Sequence, residues 1–356
     1  MSRTKLARFL WLTAFVGFCA LIVVCRPLDG AVSASPSPTV PALETAFAPA
    51  SESVAGDSVS IVISAEATLV PTARPTPTPE PTPTPIPQPF CIAWISDTQY
   101  YSYSKPAVFL SMTEWLVANK DGYDIRFVVH TGDIVDNHTY DRHWENAKAA
   151  IDVLAGELPL YCVAGNHDVG TGAADYSRYS QYDFCDQRDE AMQYEGGECW
   201  YHTFTEGGTD FLLLGIGWQA DDDCIPWCEE VISSHPDHVG IIIVHSFLSS
   251  GGKLSTNGEL IEQRLIAPYP SVRLLLCGHN DGSVRLRFEY EEGARTVNAM
   301  MYNFQDDKQN GLGYLRLLVF DPLTRNISVT TYSPYLDDYD YYQDESRDTF
   351  VLTDAF

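Results

Sequence analysis

Hydrophobic residues are unevenly placed along this chain. From residue 90 onward, short apolar runs alternate with segments of helical period. The runs at 91–96, 125–131 and 160–165 read as strands, while Val108, Met112, Trp115 and Leu116 share one helical face, as do Trp144, Ala147, Ile151 and Leu154. That order is β-α-β-α-β. Further strands are expected at 211–217, 240–244, 272–277, 284–290, 296–303, 314–320 and 327–332. Because the last third is mostly strand, the expected fold class is α/β, a layered α/β/β/α sandwich of two mixed β-sheets flanked by helices. The acidic, tyrosine-rich stretch 335–348 shows no period and reads as a solvated terminal segment packed loosely on the domain.

Ahead of residue 90 the pattern is different. Arg3, Lys5 and Arg8 precede an uncharged run, 9–25, that ends at Arg26, so residues 1–30 read as a signal peptide or an N-terminal membrane anchor. Ala31-Val32-Ser33 offers a small-residue cleavage site, whereas Ile22-Val23-Val24-Cys25 lacks the small residue before cysteine of a lipoprotein site. In either case the positive flank stays inside and the rest is exported, to an extracellular or cell-surface location. Residues 31–88 are a low-complexity Pro/Thr/Ser-rich linker, with proline at almost every second position from 71 to 89. In polyproline II, at about 3.1 Å per residue, that last part would act as a stalk of about 60 Å. The folded domain is expected at 89–356.

Composition narrows the function. The chain of 356 residues is 45% hydrophobic, enough for a sizeable core. Its formal charge of -26, from 48 acidic against 22 basic residues, excludes nucleic acid as a stable partner, since phosphate neutralisation needs the opposite balance. A phosphorylated substrate stays compatible if bound divalent cations reverse the local field. Seven cysteines lie beyond the export segment, where oxidising conditions allow pairing; Cys185 with Cys199 and Cys224 with Cys228 are the candidate bridges. Cys91, Cys162 and Cys277 sit in apolar runs and read as small buried hydrophobes.

Each early strand ends in metal-competent side chains: Ser96-Asp97-Thr98-Gln99, then Gly132-Asp133-Ile134-Val135-Asp136, then Gly165-Asn166-His167-Asp168. His245 follows the strand at 240–244, and Gly278-His279-Asn280-Asp281 follows that at 272–277. Taken singly, Asp97 would be a turn or cap residue and His245 or His279 a hydrogen-bonded core histidine. Five such clusters in order, each beyond an apolar strand, point to one crevice holding divalent cations, because loops past the carboxyl ends of strands converge.

These motifs resemble the calcineurin-like metallophosphoesterase pattern D-x-H, G-D-x-x-D, G-N-H-[DE], H, G-H-x-H, over Asp97 to Asp281. The resemblance implies an exported metal-dependent phosphoesterase that cleaves phosphomonoesters or phosphodiesters by direct attack of a metal-bridging hydroxide. It implies that Asp133 bridges two divalent metal ions, that Asn166, His245 and His279 complete the second site, and that Asp97, Gln99 and Asp281 belong to the first. His167 would sit beside the scissile phosphate, oriented by Asp136. Gln99 stands where the family usually has the histidine of D-x-H, and Asp281 where it has the last histidine of G-H-x-H. An all-oxygen first site suits Mn²⁺, Mg²⁺ or Fe²⁺, and the mixed second site suits Zn²⁺, Mn²⁺ or Fe²⁺.

Substrate class is open between phosphorylated small molecules and polymers. Tyr100, Tyr101, His138, Tyr140, Arg142 and Trp218 are candidate pocket residues, and the loop 169–199 is the expected specificity insert. The alternative is a surface-displayed binding protein that keeps the fold with weak or no activity. His167, Asp136, Asp133 and Asn166 argue against it, since binding alone does not need that set.

Overall fold

Phe90–Ile95 is an unbroken apolar run, and all of it is buried, as expected of a strand with a core on both faces. In the computed structural model this strand, β1, lies inside a sheet. The structure describes residues 86–182, 184, 192–194, 197–219, 224–305, 311–344 and 346–356, which belong to one unit, Pro79–Phe356. Residues 1–85, which hold the expected export segment and most of the proline-rich stretch, lie outside the described residues. Among the described residues, no helix is long and apolar enough to cross a membrane.

The elements follow in order: α1 (Gln99–Ser104), α2 (Pro106–Tyr123), β2 (Ile125–His130), α3 (Asp141–Ile151), β3 (Leu160–Cys162), α4 (Asn166–Val169), α5 (Ser177–Tyr182) and β4 (Met192–Gln193). Then come β5 (Cys199–Glu206), β6 (Thr209–Ile216), α6 (Cys224–Ser234), β7 (Val239–Val244), α7 (Thr256–Ile261), β8 (Val272–Cys277), β9 (Gly282–Tyr290) and β10 (Arg295–Asn303). The chain ends with β11 (Leu315–Asp321), β12 (Asn326–Ser333), β13 (Asp338–Tyr339) and β14 (Phe350–Leu352). One sheet runs β13-β12-β11-β1-β2-β3 with β14 on β12, and the other β4-β5-β6-β7-β8-β10-β9. Both are mixed: β1, β2 and β3 are parallel while β11 is antiparallel to β1, and β6, β7, β8 and β10 are parallel while β5 and β9 run against them.

The sheets face each other across the main core. Phe90, Ile92 and Trp94 meet Phe211, Leu213, Ile241, Met300 and Tyr302 there, and α2 and α3 add Met112, Leu116 and Trp144. A second core packs α6 and α7 on the outer face of the second sheet. Helix, sheet, sheet, helix is the layering expected from the pattern. Near the strand ends the layers are pinned by Tyr302, whose hydroxyl donates to the Trp94 carbonyl at 2.7 Å, and by Trp94, whose indole donates to Thr131 Oγ1 at 3.1 Å. Truncating a buried tryptophan of this kind to alanine costs about 3–5 kcal/mol.

Two expectations are corrected. Cys199 bonds Cys224, so neither the Cys185–Cys199 nor the Cys224–Cys228 bridge exists as expected, and Cys228 remains a buried thiol; Cys185 itself lies outside the described residues. Cys224 and Cys228 lie one turn apart on α6, where their Cβ bonds run in the same direction and do not converge as a disulfide requires, while β5 beneath the helix brings Cys199 to Cys224. The terminal stretch is solvent-exposed at 335–339, as expected, but it is anchored to the domain and not loosely packed from Tyr341 on. Tyr341 is buried and stacked on Phe304 at 4.2 Å, Asp348 is fully buried, β14 pairs with β12, and Phe356 is 1% exposed.

Candidate metal centre

The five motif loops meet beyond the carboxyl ends of β1, β2, β3, β7 and β8. Close approach of backbone to side chain explains the motif glycines. A Cβ on Gly165 would land on Asp133 Oδ1, and one on Gly278 would land on Asp97 Oδ2. Asp97, Asp133 and His279 adopt left-handed backbone, with φ of 52°, 56° and 69°, a conformation costly to non-glycine residues and concentrated where loops are over-determined by their surroundings.

Around Asp133 the second half of the centre is assembled. Asp133, His245 and His279 bring ligand atoms within 4.8 Å of one another. His245 Nε2 lies 3.3 Å from Asp133 Oδ2, 3.1 Å from Asn166 Oδ1 and 3.2 Å from His279 Nδ1. The other nitrogen of His245 is held by the Thr131 carbonyl at 2.8 Å, which directs Nε2 into the centre. Trp218 walls this half, its ring centroid 5.2 Å from that of His279.

The first half is less complete. Asp97 is buried and accepts the His279 backbone N–H at 3.1 Å. Gln99 is fully buried and its Nε2 donates to Asp133 Oδ2 at 3.1 Å, while its Oε1 has no partner. Since the two ends of an amide are assigned from their neighbours, Gln99 can turn its oxygen toward Asp133 when a cation lies between them. Asp281 is not brought in: it is solvent-exposed and stands outside the buried group. A carboxylate on one methylene reaches less far than the imidazole the family carries there, and β9 begins at the next residue, Gly282, which fixes its direction.

The donor set fits divalent cations. Burial pushes the Asp97 carboxyl up to about 8, with His245 opposing and Asp133 adding to the rise. Burial also raises Asp133, but the charges of His245 and His167 and their hydrogen bonds outweigh it and hold that carboxyl below its usual range. His245, lowered by burial, is carried up to about 9 by Asp133 and Asp97, and burial together with the His245 charge drops His279 to about 4. An imidazolium is thus the counter-charge for the buried Asp133 carboxylate while burial holds Asp97 toward its neutral form, and a cation coordinated by neutral imidazoles would take over that task and favour ionised Asp97.

His167 stands at the edge, on α4, with its side chain 34% exposed. Its Nδ1 meets the backbone carbonyl of Asp136 at 2.7 Å, whereas the Asp136 carboxylate lies 3.7 Å away. Asp136 therefore lies where it can orient the ring, as expected, and its closer contact is through the backbone carbonyl. Burial lowers the His167 pKa, yet Asp133 and the Asp136 carbonyl hold it above its usual value. A cavity of about 170 Å³ opens here, lined by Asp136, His138, Asn166, His167 and Thr171. Of the other candidate pocket residues, Tyr101 is buried with its hydroxyl accepting Gly313 N–H at 2.9 Å, and Tyr140 and Arg142 are exposed.

The sequence reading assigned no role to Asp168. It is fully buried and accepts the N–H groups of Gly165 and Val135, both at 2.9 Å, joining the third motif loop to the second. Burial and the charge of Asp133 raise its carboxyl to about 7 against those hydrogen bonds. An acid at the third position of a short helix was the available signal.

Residues 91–280 match the family model described as calcineurin-like phosphoesterase. The chain belongs to that family. That family is one of metal-dependent phosphoesterases, and Asp133, His245 and His279 form a group here that could hold a metal ion. An uncharacterized protein, YvnB of Bacillus subtilis (strain 168), is 35% identical over 277 residues, a match covering 75% of this chain and 21% of that protein. The chain thus spans about a fifth of the length of the curated relative it matches. Among solved structures, it is similar to a dimetal phosphatase from Danio rerio, with a TM-score of 0.53 at 12% identity, covering 74% of this chain and 98% of that one. It is also similar to a purple acid phosphatase from yellow lupin seeds, with a TM-score of 0.50 at 15% identity, covering 75% and 54%. Identities this low establish shared fold alone, and two mixed sheets flanked by helices are that fold.

Proposed function

We infer that this calcineurin-like phosphoesterase is an exported hydrolase of phosphomonoesters or phosphodiesters on a small molecule or polymer. The observation that carries the reading is the convergence of Asp133, Asn166, His245 and His279 from four separate loops, with two imidazole nitrogens 3.2 Å apart beside a buried carboxylate. When bound, two divalent cations supply Lewis-acid polarisation of phosphoryl oxygens and a nucleophile from water near neutral pH. Asp133, Asn166, His245 and His279 would hold one, and Asp97, Gln99 and Asp133 the other. The Asp136 carbonyl fixes Nδ1 of His167 as a protonated nitrogen, so Nε2 is the one available to a substrate in the cavity. As the imidazolium, which its raised pKa favours, His167 then stabilises charge on the phosphoryl group and hands the Nε2 proton to the leaving oxygen, returning to the neutral Nδ1–H form. Arg3, Lys5 and Arg8 before the apolar run 9–25 support export, with the N-terminal segment either kept as a membrane anchor or removed.

Asp281, exposed where a ligand was expected, favours a second reading, a surface-displayed binding protein with a weakly occupied first site. Turnover separates the two. The full chain is stripped by chelation, then given Mg²⁺, Mn²⁺, Fe²⁺ or Zn²⁺ singly and assayed on p-nitrophenyl phosphate and bis-p-nitrophenyl phosphate beside His167→Ala. The enzyme reading expects metal-restored turnover that falls about 10²–10⁴-fold in the variant while metal content holds. Folded protein silent on both esters with every metal would move the assignment to the binding role.

A further inference from the structure

For a chain of charge -26, the far edge of the second sheet is unusual. Arg273, Arg285, Arg287, Arg295 and Arg325 gather about β8, β9, β10 and the turn before β12. Arg273 registers that crowding: burial lowers its pKa first, Asp354 opposes, and Arg325, Arg295 and Arg287 lower it further.

Between β9 and β10 on one side and β14 on the other lies a cavity of about 310 Å³, with Arg285, Arg287, Asn298 and Thr353 in its wall. β9 and β10 are antiparallel with Arg287 opposite Asn298, which places both on one face of the pair. Asn298 is 5% exposed and its amide nitrogen Nδ2 has no hydrogen-bond partner. A buried donor left in that state costs about 1–3 kcal/mol. Arg285 is held with its guanidinium 3.9 Å above the ring of Phe350 and makes no ion pair among the described residues. Arg287 meets Glu289 at 3.6 Å, both well exposed, a pair weak enough to yield to a better acceptor. Two guanidiniums and one orphaned amide are all donors, and they surround a space large enough for a tetrahedral anion.

The catalytic centre is elsewhere. Asn298 lies five residues before Asn303, whose amide donates to the His279 carbonyl, a separation of about 16 Å along the strand.

We propose that Arg285, Arg287 and Asn298 form a second site, one that binds a phosphate-type oxyanion independently of the catalytic centre. Guanidinium forks match the paired oxygens of such an anion, and the amide supplies a donor from a third direction. The test is calorimetric titration of the metal-stripped full chain with inorganic phosphate at low ionic strength, repeated on Asp133→Asn, Arg285→Gln/Arg287→Gln and Arg287→Gln alone, which leaves the Phe350 stack intact. The expected result is saturable binding that survives Asp133→Asn and weakens about tenfold or more in the double variant, with part of that loss in the single one. p-Nitrophenyl phosphate turnover of the metal-loaded double variant stays at the wild-type level. Absence of binding to the wild-type chain, equal affinity in the double variant, or acetate binding as tightly as phosphate would each overturn the proposal.

Discussion

The two halves of the metal centre share Asp133 and differ in how they are built. In the second half, Asn166, His245 and His279 are packed until their ligand atoms nearly touch, and the Thr131 carbonyl directs His245. In the first, Asp97 and the buried Gln99 amide are in place, but the third expected ligand, Asp281, faces solvent. The tight half keeps the family's residue types, and the loose half carries both departures from them. Imidazoles held by backbone carbonyls have one useful direction, whereas an amide can rotate and a short carboxylate on a rim can point elsewhere. Rigidity here follows the ligand type rather than the loop, since all five loops begin at buried parallel strands.

Breaking the shared element should break both halves. Asp133→Asn removes the charge that faces Gln99 on one side and His245 on the other, so bound metal and turnover should fall together, turnover by at least about a hundredfold. Elemental analysis of the purified variant beside its rate on p-nitrophenyl phosphate checks this. Retention of a full metal complement with only the rate lost would mean that Asp133 acts in the chemistry and not as the bridge.

What the sequence made legible divides along physical lines. β1 and β7 are buried almost throughout, and β2 and β8 everywhere but at their second residues, Arg126 and Arg273, so they appear as largely apolar runs, and their ends announce the ligand loops. β5 was hidden because, after buried Cys199 and Trp200, its residues are only part-buried or exposed. The Gly207-Gly208 pair joining it to β6 was the missed hairpin signal. Cysteine pairing was not legible, because it depends on which strand lies beneath α6. Tyr341, Asp348 and Phe356 carry no periodic signal, and their burial comes from contacts with Phe304, with the backbone of residues 342 and 344, and with Phe320. The ligand list was readable by residue type, but the side on which Asp281 would point was not.

The contrast within the first half can be sharpened by a pair of substitutions. Gln99→Leu preserves bulk while deleting the side-chain amide that donates to Asp133, and should cost about tenfold in turnover with loss of one metal per chain. Asp281→Asn, on the exposed rim, should change either quantity by less than about twofold. Mass spectrometry of the holo-protein under native conditions reads the metal count, and circular dichroism confirms that the buried substitution has left the fold intact. Equal losses from the two variants would show that Asp281 swings inward to complete the site.

The two halves are also coupled beneath the ligands by His130, whose Nε2 meets Thr98 Oγ1 at 3.0 Å beside the first half and whose Nδ1 accepts the Gly132 N–H at 3.1 Å beside the second. Burial, with help from the His245 charge and against that of Asp133, depresses its pKa to about 3. The folded protein therefore keeps this ring neutral, whereas the unfolded chain protonates it below about 6.5. Its contribution to stability is whole above about pH 6.5 and is lost as pH falls toward 3, at up to about 1.4 kcal/mol per pH unit. Asp168, raised to about 7, acts in the opposite sense over part of that range, favouring the folded state at low pH and losing that contribution as pH rises, so the wild-type curve alone is flattened. The informative quantity is a difference: denaturant unfolding from pH 7 to 4.5 for wild type and His130→Asn should give an acid-side decline shallower in the variant by close to one proton. Parallel curves would mean that His130 accepts its proton in the folded state, and the hydrogen bonds joining the halves would then have to loosen before the chain unfolds.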